Sequence, residues 1–182
     1  MRYLLDPGHG GTDGGAFGIE AEINLQICLI LKMFLKDLGH EVKLTREADV
    51  YVSLERRCQI EEEFQPDLIV SVHCNSFSTD KPTGFEVWTS PGETDADGAA
   101  FTLLTSLIHT FPDHNVRVDF SDGDVDKEGE LYVLIHTRGP AVLVELGFLS
   151  NPDERRFLEN SSNYPLISSA LAAGILAWQR RR

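Results

Sequence analysis

Ala141-Val142-Leu143-Val144 carries no polar side chain, and Glu145 follows it directly. A strand that is apolar on both faces belongs in a sheet covered on both sides, because a strand facing water alternates instead. Asp67-Leu68-Ile69-Val70-Ser71-Val72 reads the same way, mostly apolar and β-branched. Arg2-Tyr3-Leu4-Leu5-Asp6 is a third such run, stopped by Pro7-Gly8. Helical patterns separate these strands. Ile23, Ile27, Ile30, Leu31 and Phe34 recur at helical spacing over residues 20–38, and Gly39 stands where a C-cap glycine would. Ser53 is a candidate N-cap for a helix through Phe64, ended by Pro66, and further helices are expected near 99–110 and 165–179. Strands are also expected at 41–45, 84–89 and 131–135. Strands alternating with helices of this length predict an α/β layer structure.

The 182 residues fit one domain, 1–182, and the 42% hydrophobic content is enough for a full core. A formal net charge of -13 repels phosphate backbones and anionic membranes, so nucleic acid is not an expected partner. No apolar run is long enough to span a bilayer, so no membrane insertion is expected. The residues after Met1-Arg2 are too few and too mixed for a signal-peptide core. Cys28, Cys58 and Cys74 have no C-x-x-C spacing, which argues against a thiolate zinc cage, and Cys28 falls on a core-facing helical position. Residues 119–130 are dense in Asp, Glu and Gly. Asp122, Asp124 and Asp126 have the opening spacing of a calcium loop. Lys127 takes the place of the required Gly and Val133 that of the bidentate Glu, so a solvated acidic loop is expected.

Chemistry-bearing side chains gather after the apolar runs. The first leads into His9, the second into His73, and the third into Glu145. Sites in α/β sheets form at the carboxyl ends of strands, so three such endings predict one pocket. Gly8, Gly10 and Gly11 leave the His9 imidazole unobstructed, and His73 is a better ligand than Cys74, since consecutive strand residues face opposite ways. Glu20 and Glu22 both stand at the start of the first helix as possible carboxylate ligands. Glu145 is flanked by apolar residues, where burial raises a carboxyl pKa toward the range useful for acid/base work. Two His, one carboxylate and a separate Glu are the parts of a metal-assisted hydrolase. A cysteine hydrolase pairing Cys74 with a histidine such as His136 is an alternative, and so is a binding module without activity.

Taken in order, several motifs carry a resemblance. They are Leu5-Asp6-Pro7-Gly8-His9-Gly10-Gly11, Glu20-Ala21-Glu22-Ile23-Asn24-Leu25, Leu44-Thr45-Arg46, Ser71-Val72-His73-Cys74-Asn75-Ser76, and residues 141–151 around Glu145. With these motifs the chain resembles the zinc-dependent N-acetylmuramoyl-L-alanine amidases of bacterial autolysins and phage endolysins over nearly its whole length. The resemblance implies a twisted, mostly parallel β-sheet flanked by helices on both faces. It also implies one zinc ion per chain held by His9, Glu20 and His73, with Glu145 as the catalytic carboxylate. The implied substrate is peptidoglycan, a muropeptide polymer, cut at the bacterial cell wall between N-acetylmuramic acid and the first L-alanine of the stem peptide. A monomer is expected. Ala21, Cys74 and His114-Asn115-Val116-Arg117 depart from the usual family residues, and none of these is an implied ligand. The spacing from Trp88 to Leu131 leaves no room for the pocket-plugging helix of some relatives, so an open site is expected, with no ligand supplied from residues 119–130.

Overall fold

The computed structural model describes residues 1–121 and 123–182. Its centre is a six-stranded sheet in the order β2-β1-β3-β6-β4-β5. The strands are β1 (Arg2–Pro7), β2 (Glu41–Leu44), β3 (Leu68–Asn75), β4 (Glu86–Thr89), β5 (Lys127–Glu128) and β6 (Ala141–Phe148). All neighbours pair in parallel except β4 with β6. The apolar runs therefore occupy β1, β3 and β6, the sheet interior, where both faces must be dry.

The helices are α1 (Glu20–Asp37), α2 (Leu54–Phe64), α3 (Asp97–Thr110), α4 (Tyr132–His136), α5 (Pro152–Glu159) and α6 (Tyr164–Gln179). On one face α1, α3 and α6 pack over Tyr3, Leu5, Val70, Val72, Val142 and Val144. On the other, α2 and α4 close a smaller core around Leu4, Ile69 and Leu143. Alternate residues of each central strand thus serve opposite cores. Cys28 is fully buried in the larger one. Ser53 caps α2 by accepting from the Arg56 amide at 3.2 Å, and Gly39 follows α1 with φ of 83°.

Two expectations are corrected. Residues 131–135 are not a strand: the run opens α4, with Leu134 and Ile135 amides both donating to the Leu131 carbonyl. A short apolar run fits a buried strand or a buried helical turn equally well. The flanks of β6 are already taken by β3 and β4, so the run has no free edge there. Nor is the acidic segment simply solvated, because Asp126 is 1% exposed and Lys127–Glu128 add β5 to the sheet edge. Asp122 of the rejected calcium loop lies outside the described residues. The helix α5, with Asn151 capping the amides of Asp153 and Glu154, is absent from the sequence reading.

Candidate metal centre and active site

The β1 exit delivers His9 with φ of 60°, a left-handed conformation rare outside glycine. Two buried arginines hold this loop by its carbonyls. Arg46 donates to Pro7, Gly8, Ala21 and Ala48, and Arg57 donates to Pro7, His9 and Val52. Arg57 also pairs with buried Asp6, which accepts from Thr45 and Ser71 at 2.6 and 2.7 Å. Burial alone would raise the Asp6 pKa. The Arg57 guanidinium and the two hydroxyls outweigh it and hold the carboxyl below its ordinary value.

At the start of α1, Glu20 is 3% exposed and aims its carboxylate across the loop toward β3. His9 Nε2 lies 3.1 Å and His73 Nδ1 3.0 Å from the same oxygen, Glu20 Oε1. The Ala16 and Cys74 amides donate to the Glu20 carboxylate at 2.8 and 3.1 Å. Burial pushes the Glu20 pKa up, but the hydrogen bonds to His73 and His9 prevail and hold it well below the ordinary carboxylate value. The same contact with Glu20 lifts His9 to about 9. Asp13 Oδ2, 2.9 Å from His9 Nδ1, fixes the other side of that ring, which leaves Nε2 turned toward Glu20. Glu22 is exposed and bonded to Gln26, away from this cluster.

One donor atom from each of His9, Glu20 and His73 lies within 4.8 Å of the other two, so these residues could hold a metal ion. The space fits as well as the donors. A Cβ on Gly15 would fall 2.6 Å from Glu20 Oε2, and one on Gly8 2.1 Å from the His73 ring. We expect Gly8→Ala to leave the fold intact but tilt His73, weakening metal retention roughly 10–100-fold, as removal of a ligand's support does elsewhere. Metal competition with a chromogenic chelator measures this; unchanged affinity would show that the ring has room to yield.

Glu145 is the register partner of His73 across β3 and β6, so the two side chains share a face. Its Oε2 is buried without a hydrogen-bond partner among the described residues, and burial pushes its pKa up to about 7. On its other side stands Glu86, opposite it on β4 and 2% exposed. Glu86 forms ion pairs with Arg117 and with Lys127 Nζ at 3.0 Å. A cavity of about 390 Å³ opens beside His9 and His73, walled by Tyr51, Tyr132, Val133 and Leu143. No described residue of 119–130 joins the His9, Glu20 and His73 donors. Cys74 turns away into the larger core, where burial raises its thiol pKa, while His136 sits exposed on α4, so the cysteine pairing is not formed.

Missed in the sequence reading are Asp13, Arg46, Arg57 and Glu86 as supports of the site. Arg46 stood within a quoted motif and Asp13 just beyond another, but their partners are backbone carbonyls and a ring nitrogen that only folding brings near.

A mostly parallel sheet whose strand ends bring two imidazoles beside a cavity, with the Glu20 carboxylate against both rings and Glu145 abreast of one, has the parts of a hydrolase-type α/β enzyme. A family model described as N-acetylmuramoyl-L-alanine amidase matches residues 4–177, and the chain belongs to that family. It is a peptidoglycan hydrolase that cleaves between N-acetylmuramic acid and the L-alanine of the stem peptide. The sporulation-specific N-acetylmuramoyl-L-alanine amidase of Bacillus subtilis (strain 168) is 33% identical, across 96% of this chain and 67% of its own length. The catalytic domain of CwlV, an amidase from Bacillus (Paenibacillus) polymyxa var. colistinus, superposes with a TM-score of 0.88 at 27% identity, covering 100% of this chain and 99% of that one. The amidase AmiC2 of Nostoc punctiforme gives 0.90 at 27% identity, covering 100% and 98%. None of the helices in the described residues is long and apolar enough to cross a membrane.

Proposed function

We propose that residues 1–182 work as a single catalytic domain, a monomer acting at the bacterial cell wall. In this reading His9, Glu20 and His73 hold one zinc ion and Glu145 moves the proton. The observation that carries it is the convergence of His9 Nε2 and His73 Nδ1 on Glu20 Oε1, with Glu145 abreast of His73. Two imidazoles and one carboxylate are a donor set of catalytic zinc sites that leaves a position open. When bound, zinc supplies Lewis-acid polarisation of the scissile carbonyl and of water.

The chain's own residues do the rest. Asp13, Arg46 and Arg57 keep the His9 loop in place, so the ligands need no rearrangement. In this reading the Glu145 carboxylate takes a proton from the attacking water and returns it to the departing L-alanine nitrogen. Glu86, opposite Glu145, adds to the raised pKa that keeps this group near neutrality.

The experiment is product analysis of digested peptidoglycan with chelator and after zinc is restored. New L-alanine amino termini, lost on chelation and recovered with zinc, are expected. Termini unaffected by chelation would sink the metal, and new reducing ends without them would sink the bond. Removal of a single ligand is a second check: His73→Ala is expected to retain at least roughly tenfold less zinc by elemental analysis, since even an outer partner of a ligand is worth about that much.

A further inference from the structure

A second group of acidic side chains lies away from the amidase centre, where β4 and β5 meet the start of α3. Asp126 is 1% exposed; its Oδ2 accepts from Thr89, but its Oδ1 is buried with no partner among the described residues. Asp124 Oδ1 is likewise buried and unpartnered. Asp97, in the first turn of α3, is held by the Thr94 amide and hydroxyl at 2.8 and 2.7 Å. One carboxylate oxygen from each of Asp97, Asp124 and Asp126 lies within 4.8 Å of the other two. Among the described residues no Lys or Arg pairs with any of the three. Three carboxylates so close, two of them with a buried orphan oxygen, are costly unless something positive sits between them.

We propose that Asp97, Asp124 and Asp126 form a binding site for a hard divalent cation, calcium in preference to magnesium, separate from the His9–Glu20–His73 centre. The donors are all oxygen, with no imidazole or thiolate, which selects against zinc and its neighbours. Calcium accepts 6–8 oxygens in irregular geometry, so three carboxylates with carbonyls and water suit it, whereas magnesium demands a near-ideal octahedron and gives up water reluctantly. This is not the helix-loop-helix calcium motif, which Lys127 and Val133 already rule out. One ligand comes from α3 and two from the approach to β5.

The site also has a consequence for the amidase wall. Lys127 directly follows Asp126, pairs with Glu86 at 3.0 Å and lies 5.2 Å from the centre of the Trp88 ring. A cation that ties Asp124 and Asp126 to α3 therefore fixes the short strand that delivers Lys127 to the neighbour of Glu145.

The test uses the whole chain, stripped of divalent ions, recharged with one equivalent of zinc, and titrated calorimetrically with calcium and with magnesium. One calcium per chain is expected, with Kd of about 10⁻⁵ to 10⁻³ M and magnesium at least roughly tenfold weaker. At a hundredfold excess over Kd, calcium should raise Tm by roughly 5–10 °C. Asp126→Asn and Asp124→Asn should each weaken calcium at least about tenfold, leave zinc content unchanged, and without calcium melt no lower than the wild type, since each removes a like charge. If Asp126→Asn does not fold, half-buried Asp124→Asn carries the same comparison. The proposal is overturned by the absence of calcium heat and Tm shift at millimolar concentration, by calcium binding that survives these substitutions, or by tighter binding of magnesium.

Discussion

Glu145→Ala is expected to lower peptidoglycan turnover by about 10²–10⁴ while zinc content and thermal stability hold. The size follows from losing a general acid/base that serves both halves of the reaction, the attack of water and the departure of the amine. Stability holds because the deletion removes a carboxylate whose Oε2 makes no hydrogen bond, so no partner is left stranded. The pH profile gives a second readout. Glu145 must be ionised to accept a proton, and burial pushes its pKa up to about 7 in the metal-free chain. A dication nearby favours the ionised form, so wild-type activity should rise with pH along an acid limb at or below that value. The residual activity of the variant should lack this limb. Near-native turnover, or an unchanged acid limb, would remove Glu145 from the mechanism.

Arg57→Ala carries the largest expected cost in stability. It leaves the Asp6 carboxylate buried without its cation, a change worth about 3–5 kcal/mol, and it frees the Pro7 and His9 carbonyls that Arg57 holds at 2.8 Å. In the wild type the Asp6 pKa is depressed, so its contribution to stability is full above the ordinary value of 3.8 and is lost as pH falls through the folded pKa. Removing Arg57 raises the folded pKa relative to the wild type. The deficit is therefore greatest at neutral pH and narrows as acid protonates Asp6 in both proteins. Urea melts at neutral and acidic pH measure it. A deficit that does not change with pH would mean that lost packing, and not the stranded charge, sets the cost. Arg57→Lys keeps a charge but not the planar fork, so it should recover stability in part while the His9 loop stays less well held.

The interior strands were legible because their constraint is local: each of β1, β3 and β6 must be apolar on both faces, and a run of Val, Ile and Leu records that directly. The order of the candidate site residues along the chain was legible too, since each of His9, His73 and Glu145 closes or extends such a run. Choosing Glu20 over Glu22 was beyond residue chemistry and came from family resemblance; in the structure Glu20 turns toward the histidines and Glu22 toward Gln26. Residues 131–135 misled because five apolar residues carry no period of their own, and the edge they lacked is a property of the finished sheet. The acidic stretch misled for a related reason. Its charges look solvated until Asp97, from a distant helix, is folded against Asp124 and Asp126.

The reversed strand β4 bears on how such an enzyme is adjusted. Because β4 runs against β6, the polypeptide enters it on the side where β3 and β6 leave the sheet, and residues 76–85 arrive at the rim beside His73 and Glu145. Phe77, 59% exposed, already stands on this approach, anchored by its amide to Ser150 Oγ at 3.1 Å. Lengthening or recolouring that stretch would reshape what the rim grips and leave His73 on β3 and Glu145 on β6 untouched: a movable jaw set against a fixed anvil.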